Sequence, residues 1–193
     1  MTNEQLKQWL QLFTDKVVEN KQYLSDLDTP IGDGDHGANM ARGTTEMMKA
    51  ITEKNPETVT DTLKLSAMTL ISKVGGASGP LYGSAFMGMT KASMKSEDIV
   101  EILEAGLADI QKRGKAEIGE KTMVDTWAPT IDALKNNELT VEKIQGFTEA
   151  TKEIKASKGR ASYLGDRSIG HIDPGSMSSA YLFETMIEAG VIK

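Results

Sequence analysis

Apolar residues recur every three or four positions through almost the whole of this 193-residue chain, and nowhere do they alternate with polar ones long enough to make a strand. The chain must therefore bury its apolar surface helix against helix, which restricts it to an all-α fold. Leu6, Trp9, Leu10, Phe13, Val17 and Leu24 predict one long amphipathic helix from Asn3 to Ser25. A second runs from about Ala38 to Thr52, and a third ends near Lys73, with Leu63, Ala67, Leu70 and Ile71 expected inside. Pro80 suits the first turn of a fourth helix, and Ser96-Glu97-Asp98 caps a fifth. The sixth starts at Thr122, the seventh is capped by Thr140 and frays near Ser157, and the eighth runs from Pro174 to Ala189. The eleven methionines are read as core filler.

The connections are unequal. Those between helices one and two, three and four, five and six, and seven and eight are long and rich in glycine and polar residues. The other three are short or ordinary. If consecutive helices run antiparallel, the four unusual loops meet at one end. Long loops in compact domains are commonly functional, so that end is expected to hold the site.

The first of these loops carries the strongest chemistry. Asp28-Thr29-Pro30-Ile31-Gly32-Asp33-Gly34-Asp35-His36-Gly37-Ala38-Asn39 places three carboxylates within eight residues, interleaved with glycines. Crowded carboxylates repel one another, and a hard cation relieves that repulsion. Oxygen donors without cysteine favour Mg²⁺ or Ca²⁺ over zinc. A helix N-terminus beside a metal also favours an anion such as phosphate. The competing reading is an Asp/Gly surface turn with an aspartate as helix cap. A calcium-binding EF-hand is excluded, because a loop begun at Asp33 would need Gly at 38 and Glu at 44, where Ala38 and Thr44 stand.

The other loops leave more open. Gly75-Gly76-Ala77-Ser78-Gly79-Pro80 lacks the Gly-Lys-Ser/Thr of a Walker A loop, yet its small residues would let backbone approach an anion; a tight helix–helix turn needs them equally. In the third loop, Thr122 with Asp125 resembles a capping box, and Lys115 and Lys121 either meet phosphate or solvate the turn. In the fourth, Arg160 and Arg167 either clamp phosphates or lie exposed on a lid. His36 reads as a base, a metal ligand or an outer-shell donor, and His171 as a structural hydrogen-bonder.

Composition removes other classes. A net charge of −6 and a pI near 5.1 argue against nucleic acid or an anionic membrane as partner. Without cysteine there is no disulfide framework and no thiol nucleophile. No apolar run approaches the ~20 residues that span a bilayer, and Met1 to Lys7 do not resemble a signal peptide, so a cytoplasmic location is expected.

Taken together, Ile31 to Asn39, Gly75 to Gly83, Arg113 to Glu117 with Lys121 to Met123, Lys158 to Gly165 and Asp173 to Gly175 resemble the nucleotide-binding subunit of dihydroxyacetone kinase over essentially the whole chain. The resemblance implies an eight-helix antiparallel up-and-down barrel forming a single domain, with ADP tightly bound at one rim through two Mg²⁺ ions. By motif, Asp28, Asp33 and Asp35 would hold the metals. His36, Gly37, Ala38, Asn39, Ala77 and Ser78 would meet the phosphates, and Gly114 and Met123 would line the adenine pocket. Arg160, Asp173, Pro174 and Gly175 would close over the nucleotide. The implied partners are a dihydroxyacetone-binding kinase subunit and a phosphohistidine protein of the phosphotransferase system, which rephosphorylates ADP in place. A transcriptional regulator is a further partner in the family, and a homodimer is compatible with it. The alternatives are a component of an ATP-dependent triose or fatty-acid kinase, or an ADP-sensing regulatory module.

Overall fold

The computed structural model describes residues 1–192. Among them there are nine α-helices, two short 3-10 segments and no strand: α1 Asn3–Glu19, α2 Lys21–Asp28, α3 His36–Lys54, α4 Val59–Lys73, α5 Ser78–Ser93, α6 Ile99–Gly114, α7 Val124–Lys135, α8 Val141–Ala150 and α9 Pro174–Glu188. The single first helix expected from the sequence is bent into α1 and α2 at Asn20. Its side-chain amide and its backbone N–H both bond the Lys16 carbonyl, a local bond that competes with helix continuation. Leu24 stays fully buried across the bend, so the apolar periodicity alone gives no sign of it.

Counting α1 and α2 as one bent member, eight helices form a closed ring. Each packs on its successor, and α9 returns to α1. Hydrogen bonds fix the direction of travel. The start of α1 bonds the α3–α4 turn through Asn3 Nδ2 and the Pro56 carbonyl (2.9 Å), and Gln5 reaches the Gly190 carbonyl after α9 (2.8 Å). Thr60 at the start of α4 pairs with Ser93 at the end of α5 (2.9 Å). One end of the barrel thus gathers the ordinary connections, and the other gathers the four unusual loops.

Trp9, Phe13, Tyr82, Phe86, Trp127 and Phe183 fill the interior at 0% exposure. Each such side chain contributes on the order of 1.5–3 kcal/mol on burial. Trp127 meets Phe183 edge-on at 4.9 Å. Met40, Met47, Met89 and Met186 are buried as expected, whereas Met68 and Met94 are exposed. Ile71 also departs from the expected core: it is 49% exposed, because adjacent Leu70 takes the inward position about 100° away round the helix. Its side chain instead covers Gly83 of α5, where a β-carbon would lie 2.1 Å from Ile71 Cγ1.

Small residues let α5 and α6 approach closely. A β-carbon on Gly88 would lie 2.3 Å from the Ala105 carbonyl oxygen, a contact with backbone that no rotamer change relieves. Gly88→Ala should cost about 1–3 kcal/mol of stability. Thermal and denaturant melts check it; a wild-type melting temperature in the variant would contradict this close approach.

Candidate functional site

The chain from Thr29 to Asp35 is organised by Asp28, the last residue of α2. Its Oδ2 accepts the backbone N–H groups of Asp35 (3.0 Å) and His36 (3.2 Å), folding the loop back over the helix end. Gly32 is required there, since a β-carbon would fall 2.0 Å from Asp28 Oδ1. Gly34 takes φ +75°, a left-handed conformation that suits glycine. The result brings one oxygen from each of Asp28, Asp33 and Asp35 within 4.8 Å of one another. Burial raises the Asp28 carboxyl above its ordinary range, and the neighbouring Asp33 and Asp35 charges add to the rise against two backbone hydrogen bonds. Burial is the largest single influence on Asp33 and pushes its carboxyl up, but the hydrogen bond shared with Asp35 and the Arg160 guanidinium together outweigh it and lower the carboxyl. An all-oxygen donor set with three negative charges and one guanidinium paired to it fits a hard divalent cation.

The four loops enclose one cavity of about 470 Å³. Asp28, Asp33, Asp35, His36 and Asn39 line it from the first loop and the start of α3; Ala77 and Ser78 line it from the start of α5. Gly114 and Met123 face it from the third loop, and Arg160, Asp173, Pro174 and Gly175 from the fourth. Thirteen of the fifteen residues that the family resemblance assigns to the site therefore meet in one space. Gly37 and Ala38 do not line it. Gly37 is buried where α3 crosses α2, a β-carbon there falling 1.8 Å from the Lys21 carbonyl oxygen, and Ala38 faces a separate groove beside Lys21 and Arg42. Arg167 is exposed and outside the cavity, while Arg160 pairs with Asp33.

Two helices begin at the cavity wall. α3 starts at His36, two residues earlier than the sequence pattern suggests, and α5 at Ser78. Their unpaired N–H groups favour an anion. Asn39 is 8% exposed; its Oδ1 accepts from Arg42 Nη2 (2.8 Å). Leu81, Ile110 and Ala116 give the opposite wall an apolar character. The segment 158–173, read as a plain loop in the sequence, contains a 3-10 segment, Arg160–Ser168.

Lys121, read in the sequence as meeting phosphate or solvating the turn, does neither through its ammonium. It is 1% exposed, with a left-handed φ of +61°, and its ammonium donates to the Thr151 carbonyl (2.6 Å) and the His171 carbonyl. One buried cation thereby ties both ends of the fourth loop. Its burial lowers its pKa, against the pull of Asp173, Asp125 and Glu153. A lysine in a polar loop reads as exposed, so no sequence signal marks it. Asp125 completes the third loop, accepting from Gly119 N (2.6 Å) and Thr122 N (2.8 Å), the reciprocal half of the expected capping box; Thr122 Oγ1 accepts from Val124 N instead of Asp125 N.

With an all-helical barrel and, at one rim, a cavity that joins three carboxylates to two helix N-termini, the molecule is of the class that assembles its site from inter-helix loops. The chain belongs to the DAK2 domain family, whose profile matches residues 30–188. It is 57% identical over 181 residues to the PTS-dependent dihydroxyacetone kinase, ADP-binding subunit DhaL, of Lactococcus lactis, covering 94% of each chain. It is 55% identical over 187 residues to the PEP-dependent dihydroxyacetone kinase 1, ADP-binding subunit DhaL, of Listeria innocua, covering 95% of this chain and 94% of that one. The resemblance read from the motifs is borne out. The fold recurs in the crystal structure of the dihydroxyacetone kinase from C. freundii in complex with AMP-PNP and Mg²⁺, with a TM-score of 0.79 at 24% identity over 97% of this chain and 34% of that one.

Asp173 supplies a test of the cavity's electrostatics. It caps α9, accepting from Ser176 N at 2.7 Å, and burial pushes its carboxyl up to about 7 from an ordinary 3.8. The folded protein keeps this proton up to about pH 7, while the unfolded chain loses it near 3.8. Over that window the unfolded state binds fewer protons, so this group lowers stability as pH rises. Asp173→Asn keeps a capping side chain and removes the titration. In ligand-free protein, the variant's melting temperature relative to wild type should climb between pH 4 and 7; a difference independent of pH would contradict the assignment.

Proposed function

We propose that this chain is the ADP-binding subunit of a phosphotransferase-system-dependent dihydroxyacetone kinase. In this reading a phosphohistidine protein rephosphorylates ADP in place, and the γ-phosphate passes to dihydroxyacetone held on a partner subunit. The observation that carries the reading is the convergence of the acidic triad and two helix N-termini on one cavity, 470 Å³ in volume and within the range of ligand pockets. The names of relatives covering about 94% of this chain support it.

Asp28, Asp33 and Asp35 would hold two Mg²⁺ ions, which when bound neutralise phosphate charge. The opening of α5 (Ala77, Ser78) would receive the phosphates through backbone N–H groups, and the side chains of His36 and Asn39 would face them from the start of α3, whose Gly37 and Ala38 lie outside the cavity lining. Gly114 and Met123, beside Leu81 and Ile110, would take the adenine. Arg160, Asp173, Pro174 and Gly175 would close over the nucleotide. Arg160 already reaches Asp33 across the cavity mouth. Phosphoryl transfer of this kind rests on positioning and charge neutralisation, so this chain needs no nucleophile of its own. Nor does the chain offer His36 to a carbonyl substrate: the ring is 7% exposed, and both nitrogens meet serine hydroxyls. The triose would sit on the partner. A cytoplasmic location follows from that partnership, and among the described residues no helix is long and apolar enough to cross a membrane.

Reconstitution tests the reading. Purified protein should carry roughly one ADP, as one pocket allows. Alone, with ATP, it should not phosphorylate dihydroxyacetone. Adding the substrate-binding subunit and the phosphohistidine donor should give turnover without net ATP consumption. Turnover that requires stoichiometric free ATP would overturn the in-place mechanism and favour an ATP-dependent kinase component.

A further inference from the structure

A buried polar chain leads from the barrel core to the cavity wall. Trp127 Nε1 donates to Ser179 Oγ (3.0 Å); Ser179 Oγ meets Tyr82 Oη (3.1 Å); Tyr82 Oη meets Ser178 Oγ (2.8 Å). Ser178 Oγ also meets His36 Nε2 (2.9 Å) and the Gly175 carbonyl (3.2 Å), and His36 Nδ1 meets Ser78 Oγ (3.0 Å). Ser178, Ser179, Tyr82 and Trp127 are all at 0% exposure, so every proton must be placed within the chain.

Only one placement satisfies all six contacts with a neutral ring. The indole N–H can only donate, and the Gly175 carbonyl can only accept. Ser178 must therefore spend its single hydrogen on Gly175. Tyr82 must then donate to Ser178, and Ser179 to Tyr82. With its hydrogen committed, Ser178 faces His36 as an acceptor, which puts the ring proton on Nε2. Nδ1 is left as an acceptor and takes the hydrogen of Ser78. The ring is 7% exposed and both its nitrogens meet only uncharged hydroxyls, so no charged partner supports an imidazolium and the ring is neutral.

We propose that Ser178, held by Tyr82, is a positioning residue that acts through His36 to fix the polarity of the Ser78 hydroxyl. This inference rests on the nucleotide reading above for its functional consequence. Ser78 presents only lone pairs to the cavity. It can accept a hydrogen bond from a water of the cation's shell, and it cannot donate to a phosphate oxygen. The anion at the start of α5 is left to the backbone N–H groups of that helix.

The tautomer is directly measurable. The chain has two histidines, so His171→Gln assigns the ¹⁵N resonances of His36. Ligand-free wild-type protein should place the proton on Nε2. Ser178→Ala removes the acceptor and should move the proton to Nδ1, and Ser178→Thr should restore Nε2. For Mg²⁺-dependent ADP binding, Ser178→Ala should change affinity by roughly fivefold, the scale of one net hydrogen bond, because it exchanges one cavity-facing lone pair of Ser78 for a free hydrogen. The same change made on Ser78→Ala should then have no further effect. An Nδ1 proton in the wild type, or additive losses in the double variant, would overturn the proposal. Absence of ADP binding by the wild type would instead overturn the functional reading, and the ligand-free tautomer would still decide whether Ser178 sets the polarity of Ser78.

Discussion

The rim is built around a repulsion. Asp28, Asp33 and Asp35 are held with an oxygen of each within 4.8 Å of the others, an arrangement that isolated carboxylates in water would not adopt. Backbone supplies the restraint: two N–H groups fix the Asp28 carboxylate, glycines at 32 and 34 allow the tight return, and Arg160 contributes the compensating charge from the far side of the cavity. The remainder of the barrel can bear that cost because its apolar interior is filled from end to end by tryptophan, phenylalanine and methionine. Stability and chemistry are thus divided between the shaft and one rim.

Polar residues inside the shaft belong to this division. The Trp127–Ser179–Tyr82–Ser178–His36 chain carries hydrogen-bond direction from the core to the site, and Lys121 ties both ends of the fourth loop. Unpartnered, each of these groups would destabilise the interior; connected, they set the position and polarity of cavity-facing atoms. A site made of loops thereby gains the rigidity of the helices beneath it.

Much of this was legible in the sequence because helical periodicity and loop chemistry are local signals. Alternation of short and long connections implied one functional rim, and hydrogen bonds between helix ends bear that out. The bend at Asn20 was not legible, since Leu24 keeps the apolar register across it. Nor was the exposure of Ile71, because two adjacent apolar residues leave open which one faces inward. Lys121 and Ser178 lay beyond reach for a different reason: their partners are 30 and 142 residues away and include backbone carbonyls and ring nitrogens. Gly37 and Ala38 illustrate the limit of motif reading, in which a run of residues was assigned to the site while the helix turns these two away from the cavity.

The central claim is that the three carboxylates form a cation centre at the mouth of a nucleotide cavity. Its most direct test is anomalous diffraction from crystals grown with ADP and Mn²⁺ in place of Mg²⁺. The account predicts two anomalous peaks among Asp28, Asp33 and Asp35, with the diphosphate between them and the start of α5. Manganese elsewhere, or nucleotide bound with no anomalous signal at the triad, would contradict it.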